Sequence, residues 1–371
     1  MAGPTVLIFH RPAAPGEPPL VRLLASVRHR LAEQQAKLFE RAGVSMVRII
    51  EGAQASSVGG SSFGETLAGL APRAGGLILL GSGAVPRLTA HDAGLLVAVA
   101  SSGERRALTN NRYSSDICAV GLAAALRELP ALPNDNALPR WLEERAGFAV
   151  SELPGRDRLA LDLDTPLDIA LAALAPRAAR WLADVATAEG LAVPRHEQVR
   201  QLVADPLREL LVFGRSGSRT MAWLERNVRC RVRFLSEERG MRASTPLALG
   251  GRSVVAARQP RASLGRLLER AGPGSLGEVV ADLADGAIID TRVLLAHRVG
   301  ANEADWPSAN DRFASDLHRP DEVSDPWLRE LTASAAASTL PILLGAHTLV
   351  GPGVRVLMSG ARRFLADGPA R

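Results

Sequence analysis

The sequence predicts an α/β protein whose first domain is a mostly parallel sheet sandwiched by helices, followed by a second, mixed α/β or helical domain. Three observations carry this reading. Short apolar runs alternate with amphipathic helical segments over roughly the first 170 residues. The 371 residues suffice for about two domains. Hydrophobic residues at 47% and charged residues at 22% supply a packed core and exclude a disordered chain.

The elements follow in order. Thr5-Val6-Leu7-Ile8-Phe9 reads as a buried strand, ended by the turn-rich Arg11 to Pro19. A helix is expected from Leu20 to Ala42, because Leu24, Val27, Leu31 and Leu38 fall on one face, with Gly43 as its stop. Val44 to Ile50 is the next strand. Ala53 to Ser62 is a small, polar loop, and a helix runs through Glu65 to Ala71. Gly76 to Leu80 is a third strand, closed by Gly81-Ser82-Gly83, and Thr89 can N-cap a helix through Val99. Asp116 to Val120 reads as a further strand. The stretch 130–160 is rich in Pro, Asn and charge. Residues 175–207 look helical, broken at Gly190 and Pro194. Strands are then expected at Leu210 to Phe213 and Cys230 to Leu235, with a helix from Ser218 to Asn227 between them. Residues 262–300 look mainly helical, with Ala287-Ile288-Ile289 as a short strand, and Pro341 to Leu344 is a late strand. The expected domains are 1–172 and 209–371, joined by a helical linker at 173–208.

Composition narrows the function. Of 44 basic residues only Lys37 is a lysine, and the net charge is only +5. With aromatics at 4% and no basic tail, nucleic-acid binding is not expected. The longest apolar run, Ile117 to Leu126, has ten residues, against about 20 for a bilayer span, so no membrane partner is expected. The opening residues predict no signal peptide. Cys118 and Cys230 lie in apolar contexts and read as buried thiols, which places the protein in a reducing cytoplasm. A homo-oligomer is left open.

Ligands of open α/β sheets sit beyond the carboxyl ends of strands, which singles out loops 10–22, 81–86, 109–116 and 162–168. The last contains Asp162-Leu163-Asp164-Thr165-Pro166-Leu167-Asp168. Thr165 as N-cap, Pro166 at N1 and Asp168 in the first turn make a well-formed helix start. Helix capping leaves Asp162 and Asp164 unexplained. They alternate on an extended segment and could share Mg²⁺.

This Asp-x-Asp-Thr-Pro-x-Asp phrase resembles the end of GT-A-like nucleotidyltransferase domains, such as the molybdenum-cofactor and 2-phospholactate guanylyltransferases and related glycosyltransferase-like proteins. Other segments agree in order over about residues 4–172. Leu7 to Arg11 with Pro15-Gly16 and Arg22 is similar to the first strand and phosphate loop. Phe63-Gly64-Glu65 and Leu79-Leu80-Gly81-Ser82-Gly83 look like further family segments, and Leu108-Thr109-Asn110-Asn111 lies where the guanylyltransferases carry Gly-Thr-Asn. The resemblance implies a Rossmann-like GT-A three-layer sandwich and Mg²⁺-assisted transfer of a nucleotidyl group from an NTP to a small phosphorylated acceptor. It implies Arg22 and Asp164 as catalytic residues and Asp162 and Asp164 as metal ligands. Arg11, Gly16, Ser82, Thr109, Asn110 and Asn111 would bind the nucleotide or acceptor. Gly83 stands where the family carries a metal-binding Asp, and the phosphate loop lacks its Lys. Those departures carry the alternative, a catalytically degenerate nucleotide- or metabolite-binding module that regulates or scaffolds a partner.

The remaining motifs read more plainly. Gly60-Ser61-Ser62-Phe63-Gly64 matches G-x-S-x-G without the preceding strand that a nucleophile elbow needs. Gly214 to Ser218 could cradle an anion but reads as an ordinary turn between strand and helix. Asp290, Thr291, Arg292, His297, Asp311, Arg312, Asp316 and His347 are scattered polar residues without metal-ligand spacing.

Overall fold

A computed structural model describes residues 3–52, 62–132, 135–176, 178–237 and 259–359. The chain divides into two compact units, Met1–Asp164 and Thr165–Arg371. Segment 165–208, read from the sequence as a domain end and linker, therefore lies in the second unit. Ala53 to Ser61, which carry most of the expected polar loop and the start of the G-x-S-x-G match, lie outside the described residues. Ser62 itself is an N-cap, accepting from the Glu65 amide in a capping box.

The first unit is built on six strands: β1 (Thr5–His10), β2 (Met46–Glu51), β3 (Leu77–Gly81), β4 (Arg106–Thr109), β5 (Ile117–Val120) and β6 (Ala149–Glu152). Their order across the sheet is β2-β1-β3-β5-β4-β6. β1 pairs in parallel with β2 and β3, and β4 with β6, while β5 runs antiparallel between β3 and β4. Phe9, Leu80 and Val120, each in a run read as a strand, thus stand on the neighbouring strands β1, β3 and β5. Sequence reading missed β4 and β6. Each has only four residues, and Ala149-Val150-Ser151-Glu152 carries one strongly apolar side chain, too little to show a period of two.

Helices cover both faces of this sheet. Alternation along β1 sends Val6 and Ile8 into one core with Ala32, Phe39, Ala93 and Leu96. Leu7 goes into the other, with Leu67, Leu126, Leu138 and Leu142. Helix α1 (Pro19–Arg41) starts with Pro at N1 and buries Leu20, Leu24, Val27, Leu31, Gln35 and Phe39. The expected stripe is present, with Phe39 in the fully buried place and Leu38 only half-buried beside it. Gln35 is polar within that stripe because its Nε2 donates to Ala84 O at 2.7 Å, fixing the loop after β3.

The second unit has a sheet of four parallel strands: β7 (Glu209–Gly214), β8 (Arg231–Ser236), β9 (Gly286–Asp290) and β10 (Ile342–Gly345), ordered β10-β9-β7-β8. The chain order reverses between β7 and β9, the place where open parallel sheets form a crevice. Here the carboxyl ends are closed by polar side chains. Gly214 has φ +125°, and a Cβ on it would stand 2.3 Å from the Asp290 Cβ. Arg215 Nε lies 3.3 Å from Asp290 Oδ2, and the other Asp290 oxygen accepts from the Arg292 amide at 3.1 Å. Arg292 grips Asp316 with both arms of its guanidinium, the Nη2 arm reaching Oδ2 at 2.7 Å. Ser216 Oγ donates to Val350 O, so Gly214 to Ser218 is a tied turn rather than an open anion cradle. At the start of the unit, Thr165 and Asp168 form the capping box expected for Thr165-Pro166-Leu167-Asp168.

Cys118 and Cys230 are buried free thiols, and burial pushes them up to about 12 and about 11. No helix among the described residues is long and apolar enough to cross a membrane.

Candidate functional site

The carboxyl ends of β1, β2 and β3 gather the polar side chains of the first unit. In the parallel register His10 stands beside Glu51 at the last pair of β1 and β2. The Ser82 amide donates to Phe9 O at 2.8 Å, which places Ser82 just past β3 and next to the end of β1. His10 is buried on the α1 face, because it continues the Val6 and Ile8 alternation, and its Nδ1 shares a 3.0 Å hydrogen bond with Ser82 Oγ. Its pKa falls below the usual histidine value, first through burial and then through the neighbouring His29, with Glu51 opposing and Arg28 adding to the fall. His10 is therefore a neutral imidazole at neutral pH.

The segment after the first unit's last helix passes beside the same edge. Leu161 and Leu163 are buried, while Asp162 and Asp164 between and after them are half-buried, as alternation on an extended chain requires. The Leu163 amide donates to Gly83 O at 3.0 Å and to the Asp162 carboxylate at 2.9 Å. Arg28, from α1, donates through Nε to Leu163 O at 2.5 Å and through Nη2 to Asp164 Oδ1 at 2.7 Å. Ser82, Asp162 and Asp164 are thus brought to one edge, together with Arg28 of α1.

Arg28 changes what the acidic pair can do. A guanidinium already supplies the cation at Asp164, and a second cation there would meet direct charge repulsion. A Cβ at Gly83 would lie 2.8 Å from Leu163 O, 2.8 Å from Arg28 Nε and 3.3 Å from Asp162 Oδ1, so no aspartate fits at this position without moving backbone. The residues present do not fit the Mg²⁺ site that the resemblance implies. Asp162 and Asp164, the metal ligands that the resemblance implies, are here engaged with the Leu163 amide and with Arg28.

The other expected residues separate into two groups. Arg11, Gly16 and Arg22 lie exposed on and beside the loop after β1, with Gly16 at φ +85°, where only glycine is unstrained. Arg22 Nη1 donates to Glu17 O within that loop. Thr109, Asn110 and Asn111 follow β4 on the same edge but are occupied internally. Asn110 donates to Asp116 Oδ2 at 2.7 Å and to Leu159 O at 2.9 Å, and its Oδ1 accepts from the Asp116 and Ile117 amides. Thr109 Oγ1 bonds Ser115 Oγ, and Asn111 Oδ1 accepts from the Tyr113 amide. The loop is an Asx-rich turn held by its own side chains, and Thr109 and Asn110 are buried. Thr109 and Asn110, which the resemblance implies as ligand-binding residues, make these hydrogen bonds to Ser115, Asp116 and Leu159 O.

Sequence reasoning missed Arg28, His29 and Glu51. One signal was available for Arg28: it follows Leu24 by four positions, at the rim of the buried stripe, where an arginine lays its stem on the core and turns its head out. For His29 and Glu51 there was none, because their meeting depends on the parallel register of β1 and β2. Comparison with protein-family models, with curated proteins and with solved structures finds no match.

Proposed function

We propose that the first unit is a binding module for a nucleotide or another phosphorylated metabolite, built as a GT-A-like nucleotidyltransferase domain in which Mg²⁺-assisted transfer has been lost. The ion pair of Arg28 with Asp164, beside a Gly83 that has no room for a carboxylate, carries this reading. The exposed Arg11 and Arg22 flank a glycine turn at the carboxyl end of β1, and they offer the ligand two guanidinium forks for phosphate oxygens. Arg28 supplies in the chain itself the positive charge that a metal would bring to the acidic pair. The buried reduced thiols fit a cytoplasmic protein whose ligands are small molecules rather than nucleic acid or membrane.

Calorimetric titration of the full chain with each of the four NTPs, with and without Mg²⁺, tests the reading. Saturable binding that Mg²⁺ changes little, and that Arg11→Ala and Arg22→Ala weaken, is expected. Release of pyrophosphate on adding a phosphorylated acceptor would instead establish an active nucleotidyltransferase. Absence of binding to every nucleotide and to phosphorylated metabolites would remove both.

A further inference from the structure

The geometry points to a binding site for a Zn²⁺-class divalent metal made by His10, His29 and Glu51 at the carboxyl ends of β1 and β2. One ligand atom from each of the three lies within 4.8 Å of the other two. A tetrahedral metal with bonds of about 2.0–2.1 Å needs its ligand atoms roughly 3.3 Å apart. His29 Nδ1 and Glu51 Oε1 are already 3.5 Å apart. The separations to His10 lie within 4.8 Å, and two of the three side chains can move to close them. His29 and Glu51 are half-exposed, whereas His10 is fixed in the core.

The outer partners argue for a site rather than a chance meeting. Imidazoles that bind metals commonly give their second nitrogen to a hydroxyl, carbonyl or carboxylate, which fixes the ring and its tautomer. His10 Nδ1 is held by Ser82 Oγ at 3.0 Å, leaving Nε2 for the metal. His29 Nε2 faces Glu33 Oε1, one helical turn on, at 3.6 Å, leaving Nδ1 beside Glu51. Each histidine therefore has an oxygen beside one nitrogen, Ser82 Oγ at His10 Nδ1 and Glu33 Oε1 at His29 Nε2, and the second nitrogen of each is left for the metal. The nearby guanidinium of Arg28 is engaged by Leu163 O and Asp164.

Two imidazoles and one carboxylate suit Zn²⁺, Co²⁺ or Fe²⁺ and not Mg²⁺, which prefers an oxygen shell. Three protein ligands leave a fourth position open, the arrangement of metals that bind a water or a substrate oxygen. His29 and Glu51 are half-exposed, so solvent reaches the cluster. The open position takes water or an anionic oxygen, such as a phosphate oxygen. The site stands apart from the nucleotide reading, since the metal alone is its probe.

The test uses the full chain without an affinity tag, stripped with EDTA, and titrated with Zn²⁺ by calorimetry and with Co²⁺ by visible absorption. One equivalent of Zn²⁺ should bind, and Co²⁺ should give the intense visible bands of a low-coordinate site. His29→Ala and Glu51→Gln should each weaken binding roughly tenfold or more, and Ser82→Ala should weaken it through loss of the outer bond. The exposed His91→Ala should change nothing. Because His29 and Glu51 are half-exposed, the metal-free variants should melt like the parent. A second measurement needs no variant: Zn²⁺ should protect His29, but not His91, from diethylpyrocarbonate. Absence of saturable Zn²⁺ binding, binding unaltered by both substitutions, or equal modification of His29 with and without Zn²⁺ would overturn the site.

Discussion

At the carboxyl ends of β1 and β3, the ion pair of Arg28 and Asp164 leaves its side chains 28% and 40% exposed, and His29 and Glu51 stand half in solvent beside it. The carboxyl ends of β7, β9 and β10 carry an equally polar set, yet Arg292 and Asp316 are 6% and 0% exposed and bonded to each other. Both edges meet the topological rule for a ligand site, and both hold arginine, aspartate and a close-packed glycine. They differ in where the valences go. Arg292 also donates to Thr291 Oγ1, whose hydroxyl donates to Gly345 O, and Arg215 turns to Asp290. The second edge is a latch that ties β7, β9 and β10 together. The first edge keeps its arginine loop and its imidazole–carboxylate group turned outward. Strand topology nominates an edge, and exposure with open valence decides whether it is a site.

The largest expected effect lies on the closed edge. Arg292→Met leaves the Asp316 carboxylate buried without its partner and should cost about 3–5 kcal/mol. Burial already pushes Asp316 above the ordinary carboxylate range against the pull of Arg292, so it has little tolerance for losing that arginine. Denaturant unfolding followed by tryptophan fluorescence reads this directly, since Trp181, Trp223, Trp306 and Trp327 all belong to the second unit. A loss under about 1 kcal/mol would mean that the pair is not a closed latch.

Next comes His318, two residues past Asp316. Burial, and then Arg195, lowers its pKa from 6.5 to about 4, and among the described residues its Nε2 has no hydrogen-bond partner. Between those values the unfolded chain takes up the proton and the folded chain does not, so stability falls as pH drops from 6.5 towards 4 and levels off below. The loss should be roughly 3 kcal/mol over that window. His318→Asn keeps a residue tolerant of φ +56° and should flatten the pH profile of unfolding. An unchanged profile would show that His318 is not the group responsible.

On the open edge the effects are smaller. Gly83→Ala places a Cβ against Leu163 O and should cost about 1–3 kcal/mol, whereas Gly81→Ala, with nothing within 4 Å, should stay within about 0.5 kcal/mol. Equal costs in thermal unfolding would mean that Leu163 does not close over Gly83. Arg28→Gln should cost less than about 1 kcal/mol, because the pair is solvent-reached. It should also make nucleotide binding respond to Mg²⁺ by releasing Asp164. Calorimetry that finds no Mg²⁺ response in this variant would break the link between Arg28 and loss of the metal.

Much of this architecture is legible in the sequence. The apolar runs at Leu77 to Leu80 and Leu210 to Phe213 are wholly buried strands, and the Leu24, Val27 and Leu31 stripe is a real helix face. Thr165 and Asp168 were recognisable as a helix start because capping is local chemistry. β4 and β6 were not legible, since their short runs are strands only through pairing with neighbours. The site was legible where it is local and hidden where it is not. Arg11, Gly16 and Arg22 sit within one short stretch, the loop after β1 and the first turn of α1. The partners of Asn110, Asp116 and Leu159 O, were not legible because the fold brings them to it. His10, His29 and Glu51 come from a strand, a helix and a second strand, so only the folded register joins them.

Hydrogen exchange of the full chain with and without a bound nucleotide tests the contrast between the two edges most directly. The account predicts added protection in the loop from Arg11 to Arg22 and around Ser82 and Gly83. It predicts no change from Gly214 to Ser218 or from Asp290 to Arg292. Protection concentrated at Gly214 to Ser218 and Asp290, with the β1 loop unaffected, would contradict it.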